Sequence, residues 1–192
     1  QSQAAIPLNL YVVHDKKLTQ AKVCELTVLD QDGWNNFLSL YRDAFGDRDA
    51  LRGEHFVAQD AASQDPFENL QQRLLKNSII MAYVAPRGIG PTIWDQTKKK
   101  QVQHQRRFYL LGESLESMQV WDVQRAIQAV TTVTGFNNET KTTLQATGRM
   151  AGVSLYAALF QSGVAELHLT HLPSSHRDGP YFFNVSRICD IP

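Results

Sequence analysis

Apolar positions along the 192-residue chain switch repeatedly between a strand-like and a helix-like period. Residues 8–14 (LNLYVVH) and 22–29 (KVCELTVL) are short, apolar and β-rich, and both run into charged residues, so both read as strands. Asp30, Gln31, Asp32 and Gly33 then supply turn and capping residues for a helix over about 34–45, with Trp34, Phe37, Leu38, Tyr41 and Phe45 on one face. Residues 46 to about 65 carry no period and read as an irregular surface segment. Pro66 suits a first helical position, and Phe67, Leu70, Leu74 and Leu75 give the next helix its apolar face. Residues 77–85 (NSIIMAYVA) are apolar almost throughout, as in a strand covered on both sides.

A loop over 86–100 is expected next, and then the longest helix, about 106–130, with Leu110, Leu111, Leu115, Met118, Trp121, Asp122, Arg125, Ala126 and Ala129 on its inner and flanking faces. Glu113 and Ser114 read as capping or solvated residues of that helix, and Asp122 and Arg125, one turn apart, as a flank pair. Leu144 opens a further strand, followed by a glycine-bounded turn and a helix on Val153, Tyr156, Ala157 and Phe160. A strand over 164–170, a loop over 171–178 and a short helix near 179–188 complete the pattern. Strand and helix in alternation predict one three-layer α/β domain over 1–192, with a mainly parallel sheet of about five strands, right-handed crossovers and helices on both faces.

With 19 basic and 19 acidic side chains the chain has no global field that would steer it to nucleic acid or membrane, and neither is expected as a partner. Lys98, Lys99, Lys100, Arg106 and Arg107 form a basic cluster that reads as a solvated face, since no run of exposed aromatics accompanies it. No apolar run is long enough to cross a bilayer, and the first residues lack the pattern of a signal peptide. Cys24 and Cys189 read as two thiols buried apart, with a long-range disulfide as the alternative if the chain is exported.

Gly148, Arg149, Met150, Ala151 and Gly152 have the strand-turn-helix setting of a nucleophile elbow, in which glycines permit a sharp turn and lift the middle residue above the strand ends. The middle residue is Met150, and a thioether has no proton to lose and forms no acyl-enzyme. A purely structural strand-to-helix turn explains the same glycines.

Three runs, RRFYLLGESLESMQVWDVQRAIQAV, the elbow with YAALF behind it, and HLPSSHRDGPYFFNVSRICDIP, together resemble the α/β-hydrolase superfamily, in its bacterial acetyl-xylan-esterase-like and prolyl-oligopeptidase-like branch. The resemblance covers roughly residue 23 onward and implies a partial α/β-hydrolase fold with a degenerate elbow, Met150 standing where such enzymes keep serine. It further implies that the amide of Ala151 faces an oxyanion, and that the second oxyanion loop falls at Asp30 to Gly33, which is acidic and has one glycine. It allows an exported or periplasmic location and fixes none.

Outside the elbow, catalytic residues remain unassigned; the candidates are His176, Ser174 and Asp178, with Ser175, in the loop after the last strand. Adjacent side chains diverge, so a polar loop with a backbone-bonded His176 is the simpler reading. His168, His171 and His176 do not complete a metal-ligand spacing, and no metal or cofactor is expected. Gly88 and Gly90 are not a dinucleotide fingerprint because Pro91 follows, and Arg87 there reads as part of a structural turn. Asn138 and Asn184 fall in glycosylation sequons of the kind that arise by chance.

The expectation is therefore a hydrolase-like domain without a working triad, serving binding or structure, with other domains or chains completing the fold or a homo-oligomer forming. The alternative is an active carboxylic-ester hydrolase whose missing catalytic residues come from another chain or a removed extension.

Overall fold

The computed structural model describes residues 6–45, 64–94, 97–133, 135–175 and 178–180. Its elements run β1 (Leu10–His14), β2 (Val23–Val28), α1 (Gln31–Phe45), α2 (Gln64–Asn77), β3 (Ile79–Val84), α3 (Lys98–Leu110), α4 (Leu115–Val130), β4 (Lys141–Thr147), α5 (Gly148–Leu159) and β5 (Val164–Thr170), with a 3-10 turn at Gly90–Thr92. The five strands pair in the order β1-β3-β2-β4-β5, parallel except at β1, so the expected α/β architecture is the observed one.

Strand register divides the side chains into two sets. Cys24, Leu26, Val28, Leu144 and Ala146 are all buried on the side of α4 and α5. The opposite face carries a row that crosses the whole sheet, Tyr11, Tyr83, Thr27, Gln145 and His168. Its first half lies under α1 and α2. There Phe37 packs on Tyr11 and Tyr83 at 5.2 and 5.0 Å between ring centroids, and Trp34 stacks on Phe37 at 5.4 Å. Offset and tilted aromatic pairs of this kind each contribute about 0.5–1.5 kcal/mol beyond the area they bury. The Tyr41 and Tyr83 hydroxyls close the cluster with a 2.9 Å hydrogen bond. The row's second half, over β4 and β5, is polar, and β5 is exposed along most of its length.

The expected helix over 106–130 is two helices. Gly112, at φ 74°, ends α3, and Ser114 caps α4 with a reciprocal box in which Ser114 Oγ accepts from the Ser117 N–H and Ser117 Oγ from the Ser114 N–H, both at 3.1 Å. Leu110 and Leu111, expected on the inner face, are 86 % and 77 % exposed at the break, and Trp121 is 40 % exposed. Helix α3 begins inside the expected loop. At α1 the helix starts earlier than its apolar period, because Asp30 serves as N-cap: its Oδ1 accepts from the Gly33 N–H at 2.7 Å and its carbonyl from the Trp34 N–H at 2.8 Å. Helix α2 likewise starts two residues before Pro66. The segment 46–63, the Phe45 side chain, the expected helix near 179–188, His176, Cys189 and the Asn184 sequon lie outside the described residues.

Burial, with a lesser push from the Glu25 carboxylate, raises the Cys24 thiol from 9.0 to about 12, and burial also raises the Tyr41 and Tyr83 phenols above 10.0. The folded chain holds these protons more tightly than the unfolded one, so their stabilisation is complete below the ordinary pKa values and drains away as pH climbs above them. Urea midpoints measured from about pH 8 to 11 should therefore fall, starting near the thiol's ordinary pKa. Cys24→Val should remove the early part of the fall and Tyr41→Phe should lessen the later part, to which Tyr83 also contributes; a flat profile would contradict this placement.

Candidate functional site

Chain direction across the sheet reverses beside β2: β3 pairs on one side of it and β4 on the other. At such a switch point the loops leaving adjacent strands diverge, opening a crevice at the carboxyl ends. A crevice of about 290 Å³ lies there, lined by Thr27, Asp30, Gln145, Thr147, His168 and Thr170 together with apolar strand-end residues. Thr27, Gln145 and His168 are register neighbours, and Thr147 pairs with Thr170 one row further on. The Thr27, Gln145 and Thr170 side chains take no hydrogen bond among the described residues, so their bonding capacity faces the crevice.

Polar groups on the β3 side of the switch point are, in contrast, satisfied internally. Arg87, 2 % exposed, donates to Asp122 of α4 through its backbone N–H at 3.0 Å, Nε at 2.8 Å and Nη2 at 2.6 Å. Gln119 of the same helix donates to the Arg87 carbonyl at 3.0 Å, and Gln31 accepts from the Gly90 N–H at 3.1 Å. The anion held by Arg87 is thus the protein's own carboxylate. The expected Asp122–Arg125 flank pair does not form; Arg125 lies over the Trp121 ring at 4.7 Å and donates to Gln128. Gly90 sits against Trp34 so tightly that a Cβ would come within 2.7 Å of the indole, which accounts for glycine in that turn.

Between β4 and α5 the chain must reverse within a residue or two to lay α5 back along the sheet. Gly148 makes the reversal at φ 56°, a left-handed conformation that only glycine adopts without strain, and a Cβ built there would meet nothing within 4 Å. Met150 falls in the first turn of α5 at 4 % exposure, with Ala151 fully buried behind it. Gly152 serves packing: a Cβ at that position would approach Pro180 Cδ to 2.5 Å. Arg149 donates to Glu116 of α4 at 2.6 Å. Thr147, at the N-cap without a side-chain capping bond, brings its Oγ1 within 3.4 Å of His171 Nδ1.

The remaining sequence candidates disperse. Ser174 and Asp178 are both exposed, and the Asp178 N–H donates to the Ser175 carbonyl. His168 faces solvent 3.7 Å from Glu166, and among the described residues no three His, Cys, Asp or Glu side chains converge as metal ligands do. Asp30 to Gly33, expected as a second oxyanion loop, are the N-cap and first turn of α1, with a carboxylate where a donor would be needed. Sequence reasoning missed the crevice itself, because its polar residues are ordinary strand positions that only the register assembles.

No family model and no curated protein matches the chain. Among solved structures the fold is similar to that of a putative acetyl xylan esterase from Bacteroides fragilis, with a TM-score of 0.56 and 11 % identity, over 87 % of this chain and 42 % of that one. At that identity the likeness is one of fold, and the chain spans less than half the length of that protein.

Two stability measurements check the site's surroundings. Asp122→Asn, or Arg87→Met alone, should cost about 3–5 kcal/mol because it leaves a buried partner unmatched, while the paired replacement Arg87→Met with Asp122→Leu should recover most of the loss. Ser154 Oγ, one turn beyond Met150, is buried and takes no hydrogen bond among the described residues, so Ser154→Ala should stabilise by about 1 kcal/mol. Destabilisation by that substitution would mean the hydroxyl has a partner.

Proposed function

We propose that this chain is a hydrolase-like domain that binds a small polar ligand at the carboxyl-edge crevice and does not cleave esters. The observation that carries the reading is Gly148: the left-handed residue between β4 and α5, with open space above it, has no side chain. In an elbow the attacking atom belongs at that reversal, where a side chain stands clear of the strand and beside the first amides of the helix. On this reading the vacated position is Gly148, two residues before Met150, and the amide following it is that of Arg149. The amide of Ala151 falls inside the helix, one place beyond its open first turn.

Thr147 and His171 do not fill the gap. Their contact is long, both are solvent-facing, and among the described residues no carboxylate orients the imidazole. The unmatched Thr27, Gln145 and Thr170 suit a ligand that both gives and takes hydrogen bonds. Beyond the crevice, β5 is an edge strand among the described residues, with exposed Leu159 and Leu167 beside it. Such an edge calls for cover by further strands, from additional chain or from a partner; the similarity to a protein more than twice as long is in keeping with that.

Purified protein should not turn over p-nitrophenyl acetate above the buffer rate. Turnover abolished by a serine-directed phosphonate would overturn the proposal and favour an active esterase completed by another chain. In a Cys189→Ser background, a thiol introduced by Gly148→Cys should react with a disulfide reagent at least about tenfold faster than one introduced by Met150→Cys, being exposed at a helix N-terminus. The reverse order would place the elbow tip at residue 150.

A further inference from the structure

Helix α3 is unlike every other helix in the fold. None of its residues is buried, and Trp94 packs against it, its ring 5.6 Å from His104 and 5.5 Å from Phe108. It carries Lys98, Lys99, Lys100, Arg106 and Arg107, all exposed, and no acidic residue. No ion pair joins any of the five to a carboxylate among the described residues. The helix therefore stands at +5 on a chain whose other residues hold 14 basic against 19 acidic side chains, so the neutral total conceals a strong separation of charge. Exposed apolar groups accompany the cations: Val102 sits between Lys99 and Arg106 on the outer stripe, and Leu110 and Leu111 project at the end, 86 % and 77 % exposed.

We infer that α3 docks the protein on an anionic lipid bilayer. A cluster of four to eight basic side chains on one helix is enough to draw a protein to such a surface, each contributing independently, and leucines beside the cations can enter the boundary between headgroups and acyl chains. Two features favour a bilayer over other anionic partners. Nucleic acid would neutralise the cations but leave Leu110 and Leu111 in water, since phosphate contacts make no use of them. A protein partner would have to close a pocket or groove around the leucines, because α3 itself stands out with its outer stripe exposed. A flat, deformable surface accepts a protruding helix without either. The expectation of no membrane partner rested on the overall charge balance and the lack of a spanning segment, and neither bears on a helix lying in the interface. Among the described residues no helix is long and apolar enough to cross a membrane, so the contact is peripheral.

The test is co-sedimentation of the whole chain with vesicles of about 30 % phosphatidylglycerol in phosphatidylcholine. Binding is expected there and not to pure phosphatidylcholine, and it should weaken steeply between about 0.05 and 0.5 M NaCl. Neutralising Lys98, Lys99 and Lys100 together to Gln should weaken it about 100-fold, at roughly fivefold per cation. Replacing Leu110 and Leu111 by Ser should weaken it about tenfold or more, with far-ultraviolet circular dichroism and the thermal midpoint unchanged because both are exposed. Equal partitioning to neutral and anionic vesicles, or none to either, overturns the inference. So does a Leu110→Ser, Leu111→Ser variant that binds anionic vesicles and a DNA duplex as well as the parent does, since that would mark α3 as a general polyanion site.

Discussion

A buried charge holds the crossover from β3 to β4. That connection must carry the chain over β2 and set it down on the far side, and α4 is the element that does so. Asp122, inaccessible on α4, takes three donors from Arg87 in the loop that leaves β3, and Gln119 one turn away takes the same residue's carbonyl. Leaving a charge unpaired at that depth costs about 3–5 kcal/mol, which disfavours any seating of the helix that separates the pair. With α4 fixed, β4 pairs with β2 in parallel, and the order in which strands are added turns back there. The crevice is a consequence of that reversal.

The two ends of the sheet are dressed unequally. Over β1 and β3 the outer row is aromatic and packed beneath α1 and α2; across β4 and β5 the same row turns into Thr, Gln and His. Covering both faces with helices is the usual solution for a parallel sheet, and here one quadrant is dressed with hydrogen-bonding groups instead. A polar strand surface gains little from an apolar helix and much from water or a hydroxylated ligand. Site and scaffold thus share one row of the sheet, on different strands.

The fold was legible in the sequence because its signal is periodic: residues 164–170 were readable as a strand to the residue, and the apolar run around Ile80 announced a central one. The break between α3 and α4 was masked, since Leu110, Leu111, Leu115 and Met118 keep a helical spacing across Gly112 even though Gly and a following Ser are the chemical signs of an end and a start. Asp122 was read with Arg125, three residues away, whereas its partner is 35 residues distant; local spacing favours near neighbours and has no access to the loop that folds back. Glycine spacing around Met150 was equally mute about which glycine turns the chain. Gly148 does, and Gly152, four residues on, is reserved for contact with Pro180.

That last contact ties down one point of the chain beyond β5. By leaving room for one proline ring, Gly152 lets Pro180 settle against the second turn of α5. A methyl in place of that single hydrogen would collide with the ring. The return of the chain onto α5 therefore depends on one absent carbon atom.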